Sequence, residues 1–147
     1  MLKFERYELT SEKSLTVFEF VSEGPKGRIP KIVQYSETNF KGIFNLGFGD
    51  KDSTSNQIDD TVISNNSDSR KVLATVAATV YAFTERYPNV WVYAAGNTRA
   101  RTRLYRMGIS NNLDEILEDF EVFGLENGAW VVFTKRDDYD AFLVRRK

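Results

Sequence analysis

The chain has 147 residues, 41% hydrophobic and 14% aromatic, and this favours one folded domain, residues 1–147, with a sizeable core. Lysine and arginine number 20 against 21 aspartate and glutamate residues, so the net charge of −1 produces no overall attraction to nucleic acid or to a membrane. The chain contains neither cysteine nor histidine, which excludes disulfides, thiolate metal sites and histidine-based catalytic triads.

No stretch approaches the roughly 18 apolar residues of a membrane span. The first residues, MLKFERYELTSEK, lack the apolar segment of a secretory signal. We therefore expect a cytoplasmic protein without a membrane partner, in which any electrostatic specificity comes from local segregation of charge.

The first third of the chain is predicted to form β-strands. Glu23–Gly27 contains strong turn residues, and short strands joined by tight turns are usually antiparallel. Residues 50–57 form a polar loop. The predicted strands cover residues 4–9, 15–21, 29–35, 43–48 and 61–63.

After residue 67 the apolar spacing becomes that of a helix. Ser67 or Ser69 is placed to begin this helix and Pro88 to end it. Residues 90–95 are apolar on both alternating faces, which predicts a central strand. The helical stripe consists of Leu73, Val76, Val80, Phe83 and Tyr87.

An arginine-rich helix is predicted after the turn at Gly96. Asn97 or Thr98 can cap its start, and Gly108 is expected to end it. A short acidic helix over residues 113–120 follows, with Ser110 or Asn112 as its cap.

The rest of the chain is predicted to close the sheet. Asn127-Gly128 between two apolar runs is typical of a type I′ hairpin, and residues 139–144 suggest an additional edge strand. The element order predicts an α+β fold whose sheet is mixed and largely antiparallel, with two or three helices packed on it.

The arginine-rich helix, NTRARTRLYRMGI, is the candidate functional element. Arg99, Arg103 and Arg106 share one helical face because offsets of 3, 4 and 7 residues fall together. The opposite residues Ala100, Leu104 and Met107 are then expected to face the protein, with Arg101 and Tyr105 at the flanks. The candidate binding residues are Asn97, Arg99, Arg103, Tyr105 and Arg106.

The arginine face has three interpretations. It binds phosphate or nucleic acid, with Tyr105 or Trp130 available for stacking. It binds a protein partner, since arginine and tyrosine are favoured at interfaces. Alternatively, the arginines pair within the domain with the carboxylates of the acidic helix, Asp114, Glu115, Glu118 and Asp119.

Three groups of aspartates lie in polar loops. None has the spacing of a calcium loop or of a two-metal site, so we expect solvated loop charges and no metal. The groups are Asp50 with Asp52, Asp59 with Asp60, and Asp137 with Asp138 and Asp140.

The segment around the arginine-rich helix resembles the C-terminal half of GNAT acetyltransferases. In that family a strand leads to Asn, then Ala three residues on, a Leu-Tyr pair, and Gly followed by an apolar residue. The resemblance covers about half of the chain, and it implies acetyl-CoA as a cofactor and Tyr105 as the acid for the leaving thiolate. The matching residues are Asn97, Ala100, Leu104-Tyr105, one position late, and Gly108-Ile109.

The whole chain also resembles an uncharacterised family of small bacterial proteins, mostly from Bacteroidetes-type genomes, that share the GNTxARTRLYRMGI segment. We expect a non-catalytic binding or interaction module that uses the arginine-rich helix, as one component of a pair of the toxin–antitoxin type. A protein partner is the first expectation, with nucleic acid or phosphate as alternative ligands. The alternative function is a GNAT-like acyltransferase using acetyl-CoA.

Overall fold

The structure is a computed structural model that describes residues 4–59 and 64–147. Within these residues it contains eight strands and three helices. The strands are β1 (Thr10–Ser11), β2 (Val17–Gly24), β3 (Gly27–Glu37), β4 (Ile43–Asp50), β5 (Trp91–Ala94), β6 (Phe120–Glu126), β7 (Ala129–Val132) and β8 (Phe142–Arg146). The helices are α1 (Ser69–Arg86), α2 (Arg99–Asn111) and α3 (Leu113–Asp119).

The strands form a single mixed sheet in the order β1-β2-β3-β4-β5-β8-β6-β7 across the described residues. β4 and β5 are parallel and joined through α1, whereas the other neighbouring strands are antiparallel. This confirms the predicted α+β class with a mixed, largely antiparallel sheet. The prediction of an edge strand at residues 139–144 is wrong, because β8 lies between β5 and β6.

The helices pack on one face of the sheet. Val76 of α1, Ile109 of α2 and Ile116 of α3 all lie against strand residues such as Val92 and Phe142. The predicted stripe of α1 is confirmed, since Leu73, Val76 and Phe83 are buried and Val80 is partly buried. Apolar burial at the helical period therefore holds α1 on the sheet.

Residues 4–9 do not form the predicted strand. The backbone N–H of Tyr7 donates to the hydroxyl of Thr75 on α1 at 2.8 Å, so it is unavailable to a neighbouring strand. The ring of Tyr7 stacks on Phe20 instead. The other short strand that we predicted, residues 61–63, lies outside the described residues.

α2 presents a different face to the protein from the one predicted. Ala100 and Met107 are exposed, and Tyr105, Gly108 and Asn112 lie inward. Gly108 does not end the helix, which continues to Asn111. A Cβ on Gly108 would lie 3.4 Å from the Leu73 side chain, an ordinary contact distance, so α2 faces α1 at this residue.

A buried polar network attaches the chain entering α1 to the sheet. The ammonium of Lys31, whose residue is 1% exposed, pairs with Asp50 and donates to the Ser64 carbonyl at 2.9 Å. The Asn66 amide donates to the Gly27 carbonyl and accepts from the Lys26 N–H. These bonds fix residues 64–66 on the β2–β3 hairpin and hence the start of α1.

The β6–β7 connection confirms the predicted hairpin. Asn127 and Gly128 both have positive φ, 51° and 80°, as a type I′ turn requires. We expect Gly128→Val to lower the free energy of unfolding by about 1 kcal/mol or more, because a β-branched residue is strained at positive φ. Urea denaturation measures this loss. Asn127→Gly is the control, and a similar loss in both variants would contradict the explanation.

Candidate functional site

A cleft of about 380 Å³ opens where β5 ends and α2 begins. The carboxyl ends of parallel strands are common ligand-binding positions in sheets that contain α-helical crossovers. The first two turns of α2 form one wall, and the loop between β7 and β8 forms the other. The lining residues are Gly96, Asn97, Thr98, Arg99, Thr102, Arg103, Arg106, Asp138, Tyr139 and Asp140.

Gly96 and Thr98 set the position of the α2 wall. A Cβ on Gly96 would lie 2.4 Å from the backbone nitrogen of Thr102, so glycine allows the first turn of α2 to pack on the end of β5. The Thr98 side chain accepts from the Arg101 backbone N–H at 3.2 Å, which confirms Thr98 as the cap. The cap leaves the start of α2 facing the cleft.

Tyr139 holds the opposite wall. Its ring lies directly on Gly124, where an added Cβ would be 2.3 Å from a ring carbon. The Tyr139 hydroxyl accepts from the Thr134 backbone N–H at 3.0 Å. Tyr139 therefore attaches the loop between β7 and β8 to the sheet.

Two arginines of α2 form hydrogen bonds with other parts of the same domain. Arg106 donates to the carbonyls of Lys135 and Asp137, both at 2.8 Å, and lies 3.5 Å from an oxygen of Asp138. Arg101 donates to the Asp59 carbonyl at 3.1 Å. The ion pair of α2 thus goes to the β7–β8 loop, and not to the acidic helix α3 as one interpretation proposed.

Arg99 and Arg103 differ from these two arginines. Both are exposed, and neither has a hydrogen bond or ion pair with any residue in 4–59 or 64–147. They are four residues apart, so they lie side by side on α2. Arg99 is in the first turn, where no acidic residue balances the positive end of the helix dipole.

These two positions are unfavourable for the stability of α2. Like charges four residues apart repel by about 0.2–0.5 kcal/mol, and a cation in the first turn opposes the helix dipole. Neither arginine gains a hydrogen bond or an ion pair in return within the described part of the chain. Folding of the domain therefore does not explain them.

Tyr105, another candidate, lies in a different environment. Its side chain packs among core residues. Burial raises the pKa of its hydroxyl to about 12, against the opposing effects of the Phe48 backbone and the Arg101 charge. Tyr105 therefore does not line the cleft and is not available there for stacking.

The pairing of the parallel strands β4 and β5 ends at Leu46 and Ala94. β5 itself ends at Ala94, whereas β4 continues to Asp50. The side chain of Ile58 packs on Gly49 in this continuation, where an added Cβ would lie 2.9 Å from it and 3.9 Å from Arg101. Side chains of the protein itself therefore cover β4 beyond the end of β5.

The structure brings four of the five predicted binding residues to the cleft: Asn97, Arg99, Arg103 and Arg106. Sequence reasoning missed the opposite wall. Asp138 and Asp140 were recognised only as loop carboxylates, and nothing local in the sequence indicates that their loop reaches α2. Asp50 is engaged by Lys31, and Asp60 lies outside the described residues.

The fold and the cleft define an α+β protein with one mixed sheet, helices on one face and an arginine-lined cleft beside its parallel strand pair. The chain belongs to a family of unknown function, described as "Family of unknown function (DUF6934)", which matches residues 3–147. No curated protein and no solved structure matches the chain. Within the described residues no helix is long and apolar enough to cross a membrane, and no cluster of three acidic groups could hold a metal ion.

Proposed function

We propose that the chain is a non-catalytic interaction module that binds an acidic protein partner through Arg99 and Arg103. The observation that carries this proposal is the pair of exposed cations without partners among the described residues, placed where they disfavour the helix. Arginine is a frequent contributor to interface affinity. When the partner binds, its carboxylates would offset both the repulsion between the two arginines and the unfavourable interaction with the helix dipole.

The acidic wall of the cleft determines the orientation in which the partner binds. Asp138 has an 89% exposed side chain at the edge of the cleft, and Asp140 is exposed beside it. An acidic segment is attracted to the α2 wall and repelled by the opposite wall. Charge arrangement of this kind controls orientation and association rate more than total affinity.

A cytoplasmic bacterial pair of the toxin–antitoxin type is the context that we propose for this module. The proposal is supported by a cleft surface adapted to charge recognition, with arginines on one wall and aspartates on the other. In such a pair, one component expressed alone slows growth and the second restores it. If neither the chain nor the product of an adjacent gene affects growth alone or together, this context is wrong.

The arginine pair gives a prediction that separates binding from folding. The double variant Arg99→Gln/Arg103→Gln should melt at the wild-type temperature or slightly above it, because exposed charges contribute little to stability and these two oppose the helix. Arg106→Gln is the matched control on the same helix. It should lower the free energy of unfolding by on the order of 1 kcal/mol, since it loses two charge-assisted hydrogen bonds. Thermal melts that reverse this order would contradict the assignment.

Photo-crosslinking in cells can identify the partner. A benzoylphenylalanine at Ala100, exposed between the two arginines, should crosslink to an acidic protein, and the same group at the exposed Phe40 should not. The crosslink should weaken with salt and disappear in the double glutamine variant. Crosslinking to nucleic acid, or to the same protein in that variant, would overturn the proposal.

The second candidate is a GNAT-like acyltransferase that uses acetyl-CoA. It is favoured by the order helix, strand, helix and closing hairpin. The entry to α1 is unfavourable for phosphate, since Asp68 precedes the helix and accepts hydrogen bonds from Tyr7 and Ser22. A saturable rise in melting temperature with micromolar acetyl-CoA would favour this candidate over the interaction module.

A further inference from the structure

A small cavity lies between the three helices and the sheet, away from the arginine-lined cleft. Its volume is about 70 Å³. Val76 and Ala77 of α1, Ile109 of α2 and Ile116 of α3 surround it above Val92 and Phe142 of the sheet. The proposed function does not involve this cavity.

The chemistry of the cavity wall selects what it can hold. The surface that faces the cavity is apolar throughout, so the Tyr105 hydroxyl contributes no surface to it although the residue lines the cavity. A water molecule needs two to four polar partners to occupy a buried site. A wall without polar surface therefore favours an apolar occupant over water.

The size of the cavity limits the occupant further. An engineered apolar cavity of about 150 Å³ binds benzene or xenon, and a water molecule takes up about 30 Å³ of liquid. The present cavity has about half that engineered volume. It suits a xenon atom or a short alkyl group, and a benzene ring is too large.

Tyr81 lines the side of the cavity between α1 and α3. Its ring packs edge-on against Phe120, and its hydroxyl donates to the Glu115 carbonyl at 3.2 Å. The cavity is partly open to solvent, and Tyr81 is one of its partly exposed wall residues. Access therefore does not require the sheet to separate.

We propose that this cavity is a binding site for a short alkyl group or a comparably small apolar molecule. The proposal is independent of the arginine pair. Xenon under pressure is the probe, and methyl NMR is the measurement. Xenon should shift the methyl signals of Val76, Val80, Ile109 and Ile116 in a saturable manner, and benzene should not shift them.

Two variants test whether xenon occupies this cavity. Ala77→Leu adds three carbons to the wall and should abolish the shifts, whereas Ala100→Leu makes the same change on the exposed side of α2 and should preserve them. Gly108→Ala adds one methyl at an ordinary contact distance of 3.4 Å from Leu73, so it should fold and bind xenon more weakly.

Absence of xenon shifts in the wild-type protein would overturn the proposal. Equal shifts in the wild-type and Gly108→Ala proteins would also overturn it, and this comparison holds even if Ala77→Leu fails to fold. Benzene shifts at the same methyls would contradict the size limit.

Discussion

Asp50→Ala should lower the free energy of unfolding by about 3–5 kcal/mol, because it removes the partner of a buried charge. Lys31 is 1% exposed, and among residues 4–59 and 64–147 its ammonium would keep only the Ser64 carbonyl as a hydrogen-bond acceptor. The backbone N–H of Ser64 would also lose the Asp50 carboxylate. Urea or guanidinium denaturation followed by circular dichroism measures the loss.

The Glu19–Lys51 pair is the matched control for this prediction. It also joins a lysine to a carboxylate, but its side chains are 41% and 23% exposed, so Glu19→Ala should lower the free energy of unfolding by less than about 1 kcal/mol. The double variant Lys31→Met/Asp50→Leu should recover much of the Asp50→Ala loss, since it removes both buried charges. Equal losses for Asp50→Ala and Glu19→Ala would show that burial of Lys31 does not govern the effect.

Gly124→Ala should be the most damaging single methyl addition on β6. The new Cβ would lie 2.3 Å from the Tyr139 ring, so the ring must leave its site on the sheet. Overpacking of this kind lowers the free energy of unfolding by about 1–3 kcal/mol. The change should also loosen the β7–β8 loop, which amide hydrogen exchange at residues 134–140 would detect.

A double-mutant cycle tests the cause of this effect. In a Tyr139→Ala background the clash disappears, and Gly124→Ala should then be nearly neutral. A coupling free energy close to zero would contradict the proposed contact. The cycle also reports whether Tyr139 is what holds the second wall of the cleft.

Local sequence signals predicted the elements that have a regular burial pattern or a specific turn residue. The stripe of α1, the Asn127-Gly128 turn and the two-sided apolar strand β5 each carry a period or a turn residue that defines the element. Local signals failed for residues 4–9. The alternating pattern there predicts a strand, but the backbone N–H of Tyr7 donates to the Thr75 hydroxyl and is not available to a neighbouring strand. A hydrogen bond between residues so far apart in sequence leaves no local pattern.

The candidate site was predictable on one side only. Helical spacing placed Arg99 and Arg103 together, and both are exposed. The inward face of α2 was misassigned because counting apolar residues favours Leu104 and Met107. In the structure Tyr105 and Gly108 lie inward instead, and the Asn112 side chain donates to the Gly108 carbonyl. The role of Arg106 depends on a loop about 30 residues away, which spacing within α2 cannot reveal.

The central position of β8 affects how the sheet is assembled. β8 is the strand that joins β1–β5 to the β6–β7 hairpin, so until it inserts, β5 and β6 each present an open strand edge. Folding should therefore pass its main barrier when residues 142–146 dock, and non-local pairing of this kind slows folding. Chains that lack these residues would expose two unpaired inner edges, which are templates for aggregation.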